Sequence, residues 1–224
     1  MSEDLPNPEE QPVLDVHPPH EPVHGWRDFL LHILTITIGL LIALGLEAGV
    51  EAIHHHHIVK DARANIREEV EENQKVIALD QRYLASNANT LRQNIAILTQ
   101  LKSHPGQSPK PTLNFPWSWN SPSAAAWDTA RNTGAVTLMS YEDAHGYSLT
   151  YAQQAEVNAQ AVVYINHHHA ATIPLDINPD VSALTPAQID EMIHGCATAL
   201  SDIQYLEDLI KGLNVNYKGL LSEQ

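Results

Sequence analysis

A single cysteine, Cys196, occurs in 224 residues, so no disulfide can form within the chain. It falls at an apolar helical position and is expected in a core rather than as a reactive thiol. Basic residues are scarce as well: 12 Lys and Arg stand against 27 Asp and Glu, a formal net charge of -15. Phosphate binding needs a basic face, so this balance argues against nucleic acid as a partner. It argues equally against a polybasic grip on anionic lipid. No segment shows the period-two alternation of a half-buried strand. No catalytic motif is specific enough to name a reaction, and the chain is expected not to be an enzyme.

What is present is organised. Residues 1–25 hold six of the 14 prolines (Pro6, Pro8, Pro12, Pro18, Pro19, Pro22) and six acids. Such a segment buries too little apolar surface to offset its ordering entropy and is expected to be disordered. Next, Phe29 to Leu46 reads FLLHILTITIGLLIALGL, without a formal charge. A helix of that length rises roughly 27 Å, close to the hydrocarbon thickness of a bilayer. Trp26 precedes it, where an amphipathic ring favours the interface. The sequence predicts a transmembrane helix over 26–53. A buried core helix fits less well, because the run is apolar all round. A cleaved signal peptide should carry a short basic leader, whereas Arg27 faces seven acids here.

The helical pattern then becomes amphipathic over 54–102. Val70, Ile77, Leu84, Leu91 and Leu98 recur every seven residues. Three positions after each of the first four stand Asn73, Asp80, Asn87 and Asn94, where a coiled-coil seam would be apolar. A buried Asn needs a partner for each amide group. The buried face is therefore expected to turn toward Val76, Tyr83 and Ile97 instead. Glu68, Glu69, Glu71 and Glu72 look like a solvated charge run. Residues 103–122 form a loop with Pro105, Pro109, Pro111, Pro116 and Pro122, ending in Phe115, Trp117 and Trp119. A short helix is expected over 123–132 with Gly134 beyond its end.

Two longer helices complete 123–224. Over 140–171, the expected stripe is Tyr141, Ala144, Ser148, Ala152, Ala155, Ala159, Val162 and Ile165. Over 186–221, Thr185-Pro186-Ala187-Gln188 is a capping box with Pro at the first helical position. Ile189, Ile193, Cys196, Leu200, Ile203, Leu206, Ile210, Leu213, Tyr217 and Leu220 follow as a sustained stripe. The fold class is all-α: an N-terminal transmembrane helix continues into a long helix, which packs with two antiparallel helices and one short helix as a bundle.

Histidine is the unusual component, with 14 residues that cluster. Glu-x-x-His pairs occur at Glu51–His54, Glu142–His145 and Glu191–His194, a pattern used by di-metal sites in bundles. The last two lie near the N-terminal ends of consecutive antiparallel helices, some 40 Å apart by helical rise, so they cannot share one centre. A looser site for Zn²⁺ or Ni²⁺ is conceivable where His167 and His169 meet Glu191 and His194 across a hairpin. Capping of a helix C-terminus by imidazolium is the plainer role for those histidines. No cofactor is otherwise expected. Within the apolar run, His32 is one turn from Trp26 and can snorkel to water. Thr35, Gly39 and Ala43 form a small-residue ridge, and Gly45–Gly49 is a G-x-x-x-G, both suited to close helix contact. Residues 47–65 outreach the other helices, so a parallel homodimer through span and stalk is expected, with histidines 54–57 of both chains facing one another.

The run from His24-Gly25-Trp26 through Phe29, Gly39-Leu40-Leu41-Ile42-Ala43-Leu44, Glu47 and the histidines to Ala62-Arg63 and Glu69…Asn73 resembles an uncharacterised family of bacterial single-span membrane proteins. Ala126-Trp127-Asp128-Thr129-Ala130-Arg131-Asn132-Thr133-Gly134 is similar to that family's second signature. The resemblance spans roughly residues 24–165 and implies a bacterial inner-membrane protein, with no reaction or ligand attached. Lys60, Arg63 and Arg67 after the span outnumber Arg27 before it, a count that would place the domain in the cytoplasm. Simple single-span layouts commonly export the larger C-terminal part, and a periplasmic domain is adopted on that ground. The expected function is a membrane-anchored module acting as scaffold, sensor or accessory subunit through an unidentified protein partner. The alternative is a metal- or small-ligand-binding protein using the His-rich helix end or a surface of Trp117, Trp119 and Trp127.

Overall fold

A computed structural model describes residues 25–105 and 112–222. The acidic tail over 1–24, Pro109 and Pro111 lie outside the described residues. Among the described residues all regular structure is helical: α1 (Trp26–Ser103), α2 (Ala125–Asn132), α3 (Tyr141–Ala170), α4 (Ile173–Ile177) and α5 (Pro186–Ser222), with 3₁₀ turns at Ala135–Leu138 and Val181–Ala183. The chain divides into two compact units, the first ending at Ala52 and the second beginning at Ile53.

In the first unit every described side chain is exposed, including Leu30, Ile36, Leu41 and Leu44. The helix here is long and apolar enough to cross a membrane: an 18-residue window has mean hydropathy 2.4 and none of it is buried.

The second unit is built on seven-residue repeats. On α1 two columns are buried: Val70, Ile77, Leu84, Leu91 and Leu98, and beside them Ile66, Asn73, Asp80, Asn87 and Asn94. On α5 the columns are Ile189, Cys196, Ile203, Ile210, Tyr217 and Met192, Ala199, Leu206, Leu213. On α3 the buried residues are Thr150, Val157, Tyr164 and Gln154, Ala161, His168, with Tyr151 at one side. A seven-residue repeat on all three helices is the sequence condition for knobs-into-holes contact.

Cross-helix bonds give the directions. Along α1 and α3, Arg63 meets Asp143, Glu69 meets Tyr151, Asn73 meets Gln154 and Asn87 meets Tyr164, so both numbers rise together and the helices run parallel. Along α3 and α5, Asn216 meets Gln153 and Asp202 meets His167, so these two are antiparallel. The order is therefore not antiparallel throughout, because the chain first returns along α1 before α3 begins. The residue that ends α3 approaches α5 closely: a Cβ on Gly195 would lie 2.8 Å from Cβ of Ala171, just past the last turn of α3. Only glycine fits there. The expected capping box forms at α5, where Thr185 N donates to Gln188 Oε1 at 2.9 Å and Gln188 N to Thr185 Oγ1 at 3.3 Å. Gly134 beyond α2 takes the left-handed conformation, φ 79°, which costs glycine least.

Three expectations are corrected. The buried face of α1 does not turn toward Val76, Tyr83 and Ile97; the polar column itself is buried, for the reason given below. The expected stripe on α3 is largely outward: Tyr141 is 82% exposed, and Ser148, Ala152, Ala155, Ala159 and Val162 face solvent. The partnerless stalk is shorter than 47–65, because Ile58 and Ala62 already pack against the core.

Candidate functional site

Residues 112–124 carry no regular element, yet their backbone is held at four points by the polar column of α1. Asn94 donates to Asn114 O at 2.6 Å and accepts from Asn114 N at 3.2 Å. Asn87 donates to Pro116 O at 3.2 Å and accepts from the Tyr164 hydroxyl at 3.1 Å, once its amide is oriented to satisfy both sides. The opposite orientation would keep only the Tyr164 contact, so the satisfying one is adopted. Asp80 accepts from Asn120 N at 3.1 Å and from Asn120 Nδ2 at 2.8 Å. Asn73 donates to Ser123 O and accepts from Ser123 N, both at 2.7 Å.

The register follows from two rises. Twenty-one residues of helix between Asn73 and Asn94 advance roughly 31 Å. Nine residues of extended chain between Asn114 and Ser123 advance roughly 30 Å. A polar side chain repeated every seven residues therefore matches an extended backbone running the other way: Asn73 and Asn94 both donate to it and accept from it, Asn87 donates, and Asp80 accepts. The amides that looked unsatisfiable in the sequence have a backbone for a partner.

The ladder ends in a denser cluster. Glu69 Oε2 accepts from Ala126 N at 2.9 Å and from Ser123 Oγ at 2.7 Å, while Oε1 accepts from the Tyr151 hydroxyl at 2.7 Å. A carboxylate at the first turn of α2 satisfies a backbone donor and complements the helix dipole. Glu69 is thus no part of a solvated run; it caps α2 from another helix. Gln154 joins the cluster by donating to Ser123 O at 2.8 Å and accepting from Tyr217 at 2.5 Å. Burial raises the Tyr151 and Tyr217 hydroxyls well above the ordinary phenol range, and the Glu69 charge adds to both shifts. Both phenols therefore stay protonated as donors. The cluster's chemistry is positional: it fixes the entry of α2.

At the far end of α3, His168 is 2% exposed and its Nε2 has no hydrogen-bond partner. It lies edge-on to Phe115 and Tyr164. Burial lowers its affinity for a proton, the neighbouring His169 adds to this, and the Pro116 carbonyl opposes it.

The sequence-selected residues are not gathered. His167 Nδ1 lies 2.6 Å from Asp202 Oδ2, while His169, Glu191 and His194 are exposed. Among the described residues no group of three or more His, Cys, Asp or Glu is placed to hold a metal ion. Trp127 is not surface but core, 7% exposed and stacked on Tyr151 at 5.5 Å between ring centres. Trp119 is partly buried against the core, and Trp117 is 51% exposed. Thr35, Gly39 and Ala43 are exposed, with open space around Gly39. Cys196 is fully buried, which pushes its thiol up to about 11. Glu69, Gln154 and His168 were missed by sequence reasoning. The one signal was the heptad of Asn and Asp, which asks for a polar partner. No family model matches the chain, and no curated protein or solved structure matches it either.

Proposed function

We propose that this chain is a single-pass membrane protein whose C-terminal helical bundle works through protein contacts, as a scaffold, sensor or accessory subunit rather than an enzyme. The observation that carries the reading is the 18-residue window of mean hydropathy 2.4 with none of its side chains buried. A core helix of that composition would cover its apolar surface. An exposed apolar surface of this extent is otherwise a liability in water. A bilayer covers it at no cost to the backbone, whose hydrogen bonds are internal to the helix.

The bundle supports a non-catalytic role in its own way. Its most elaborate polar groups are spent on holding the 112–124 segment and the start of α2. The partner surface would include Trp117, Tyr141 and Leu149, which stand exposed. A second copy is the proposed first partner, through the ridge of Thr35, Gly39 and Ala43 and the exposed turns over 47–57. A helical stretch of that length is marginal alone in water. We place the bundle in the periplasm of a bacterial inner membrane.

Membranes carrying the full chain, washed at alkaline pH, test the anchor. The protein should stay with the bilayer, and Leu41→Arg combined with Leu44→Arg should release it. Wild-type protein in the wash would overturn the reading. A C-terminal reporter fusion decides the side. Single cysteines along 47–57 in a Cys196→Ser background test the homodimer by cross-linking, and a monomer at every position sinks it.

A further inference from the structure

The basic residues of this acidic chain are few, and three of them meet. Lys60, Arg63 and Arg67 line a cavity of about 430 Å³ in the second unit, with Ile66, Leu220 and Leu221 as an apolar floor. The volume falls within the range of small-molecule sites, roughly 300–1,000 Å³. Part of the positive charge is already engaged. Arg63 pairs with Asp143, and Arg67 Nε pairs with Glu71 at 3.1 Å. Lys60 has no ion-pair partner among the described residues, and Arg67 Nη1 is buried without any hydrogen-bond partner. Three cations against two carboxylates leave one net positive charge beside an orphaned guanidinium donor; His56, also on the lining, adds to it only when protonated.

A buried donor without an acceptor costs free energy, which a ligand acceptor recovers once the Arg67 side chain, itself 36% exposed, turns that nitrogen toward it. One residual charge matches a monoanion rather than a dianion. The floor matches an alkyl chain: Leu220 and Leu221 are partly exposed and lie over the fully buried Ile66. The overall charge of -15 does not forbid this. Exposed charges beyond about 8 Å are largely screened at physiological ionic strength, so the contacting residues govern. We infer that this cavity binds an amphiphilic monoanion, a phosphodiester or carboxylate head on Lys60 and Arg67 with its alkyl chain on Leu220 and Leu221. The inference holds whether or not the first unit crosses a bilayer.

Three probes separate the sources, with the full chain in nonionic detergent. Dihexanoylphosphatidylglycerol supplies a phosphodiester with chains, octanoate a carboxylate with a chain, and diethyl phosphate the head alone. At least one of the first two should bind saturably and slow amide hydrogen exchange over 59–67 and 220–221; the tighter one names the head. Diethyl phosphate should bind at least tenfold more weakly. Arg67→Gln should weaken binding about tenfold or more, and Ala64→Trp, which fills the cavity from an exposed position, should abolish the protection. Dihexanoylphosphatidylcholine, which is zwitterionic, should give none. Exchange on the wild type stands even if a variant fails to fold. Protection absent or lying elsewhere, equal protection by the zwitterionic lipid, or diethyl phosphate binding as tightly as the chained probes would overturn the proposal.

Discussion

Helices α3 and α5 lie side by side with the same seven-residue repeat, yet they bury opposite kinds of face. The inward columns of α5 are apolar from Ile189 to Tyr217. Those of α3 include Thr150, Gln154 and His168, while Val162 is 56% exposed and Val163 39%. The difference lies in what each face meets. α5 packs Ile189 and Met192 with Leu98 of α1, and its polar contacts to α3 come from Tyr217 and Asn216 near its end. α3 meets Asn73, Asn87 and the backbone of the returning segment, which are polar. A face buried against backbone needs donors and acceptors, so hydrophobicity alone marks the wrong side of such a helix.

Leu206 on α5 is fully buried. Leu206→Asp should cost several kcal/mol, about 4, by burying an unpaired charge. Glu207→Ala beside it should stay within about 0.5 kcal/mol. Thermal unfolding of the two variants measures this, and equal midpoints would mean the α5 face is misplaced.

The polar side is tested next. Asn73→Ala removes both bonds to the Ser123 backbone: Ser123 N loses its acceptor, while Ser123 O keeps the bond from Gln154 Nε2 at 2.8 Å. The expected loss is about 1–3 kcal/mol. Val162→Ala, on the apolar but exposed side of α3, should stay within about 0.5 kcal/mol. Denaturant unfolding that ranked Val162→Ala the worse would restore the face expected from hydrophobicity.

A smaller effect belongs to His168. Its folded proton affinity is lowered, chiefly by burial, while the unfolded ring titrates near 6.5. The unfolded state then binds more protons, so the stability held above about pH 6.5 is lost as pH falls through the window below it. His168→Phe should flatten the difference in denaturant midpoint between pH 7.5 and 5. An unchanged slope would place the acid sensitivity elsewhere.

Asp80 sharpens the ladder and should have the least effect. Its folded carboxyl is raised, chiefly by burial, with the bonds to Asn120 opposing. A raised carboxyl contributes stability that is fully present below the unfolded value and lost as pH rises through the folded one. At neutral pH the charge is therefore the costlier form. Asp80→Asn should be neutral or slightly stabilising at pH 7, with any gain fading toward pH 4. A loss at pH 7 would show that the carboxylate, rather than a generic polar rung, is needed.

Much of the helical layout was legible locally. The 26–103 helix, the α5 stripe and its capping box follow from periods of 3.6 and 7 and from one dipeptide-scale signal, Thr185-Pro186. The expected bounds 26–102, 140–171 and 186–221 lie within one residue of the helices that form. These features depend on residues close in sequence, and Leu, Ile and Val mark a face whenever its partner is apolar. The same rule misplaced α3, and it sent the α1 face toward Tyr83, which is 38% exposed.

The partner of each polar group came from tertiary contacts alone. Asn73, Asp80, Asn87 and Asn94 are a liability in isolation, and whether to bury them depends on a segment up to fifty residues away. Glu69 looks solvated until Ala126 N and Tyr151 arrive beside it. Lys60, Arg63 and Arg67 form a cavity only because α3 starts beside Arg63 and α5 ends there with Leu221. Sequence period alone specified which residues share a face, since that is a property of one helix. It could not specify what the face meets, since hydrogen-bond satisfaction and local charge belong to groups that only the folded chain brings within 3 Å.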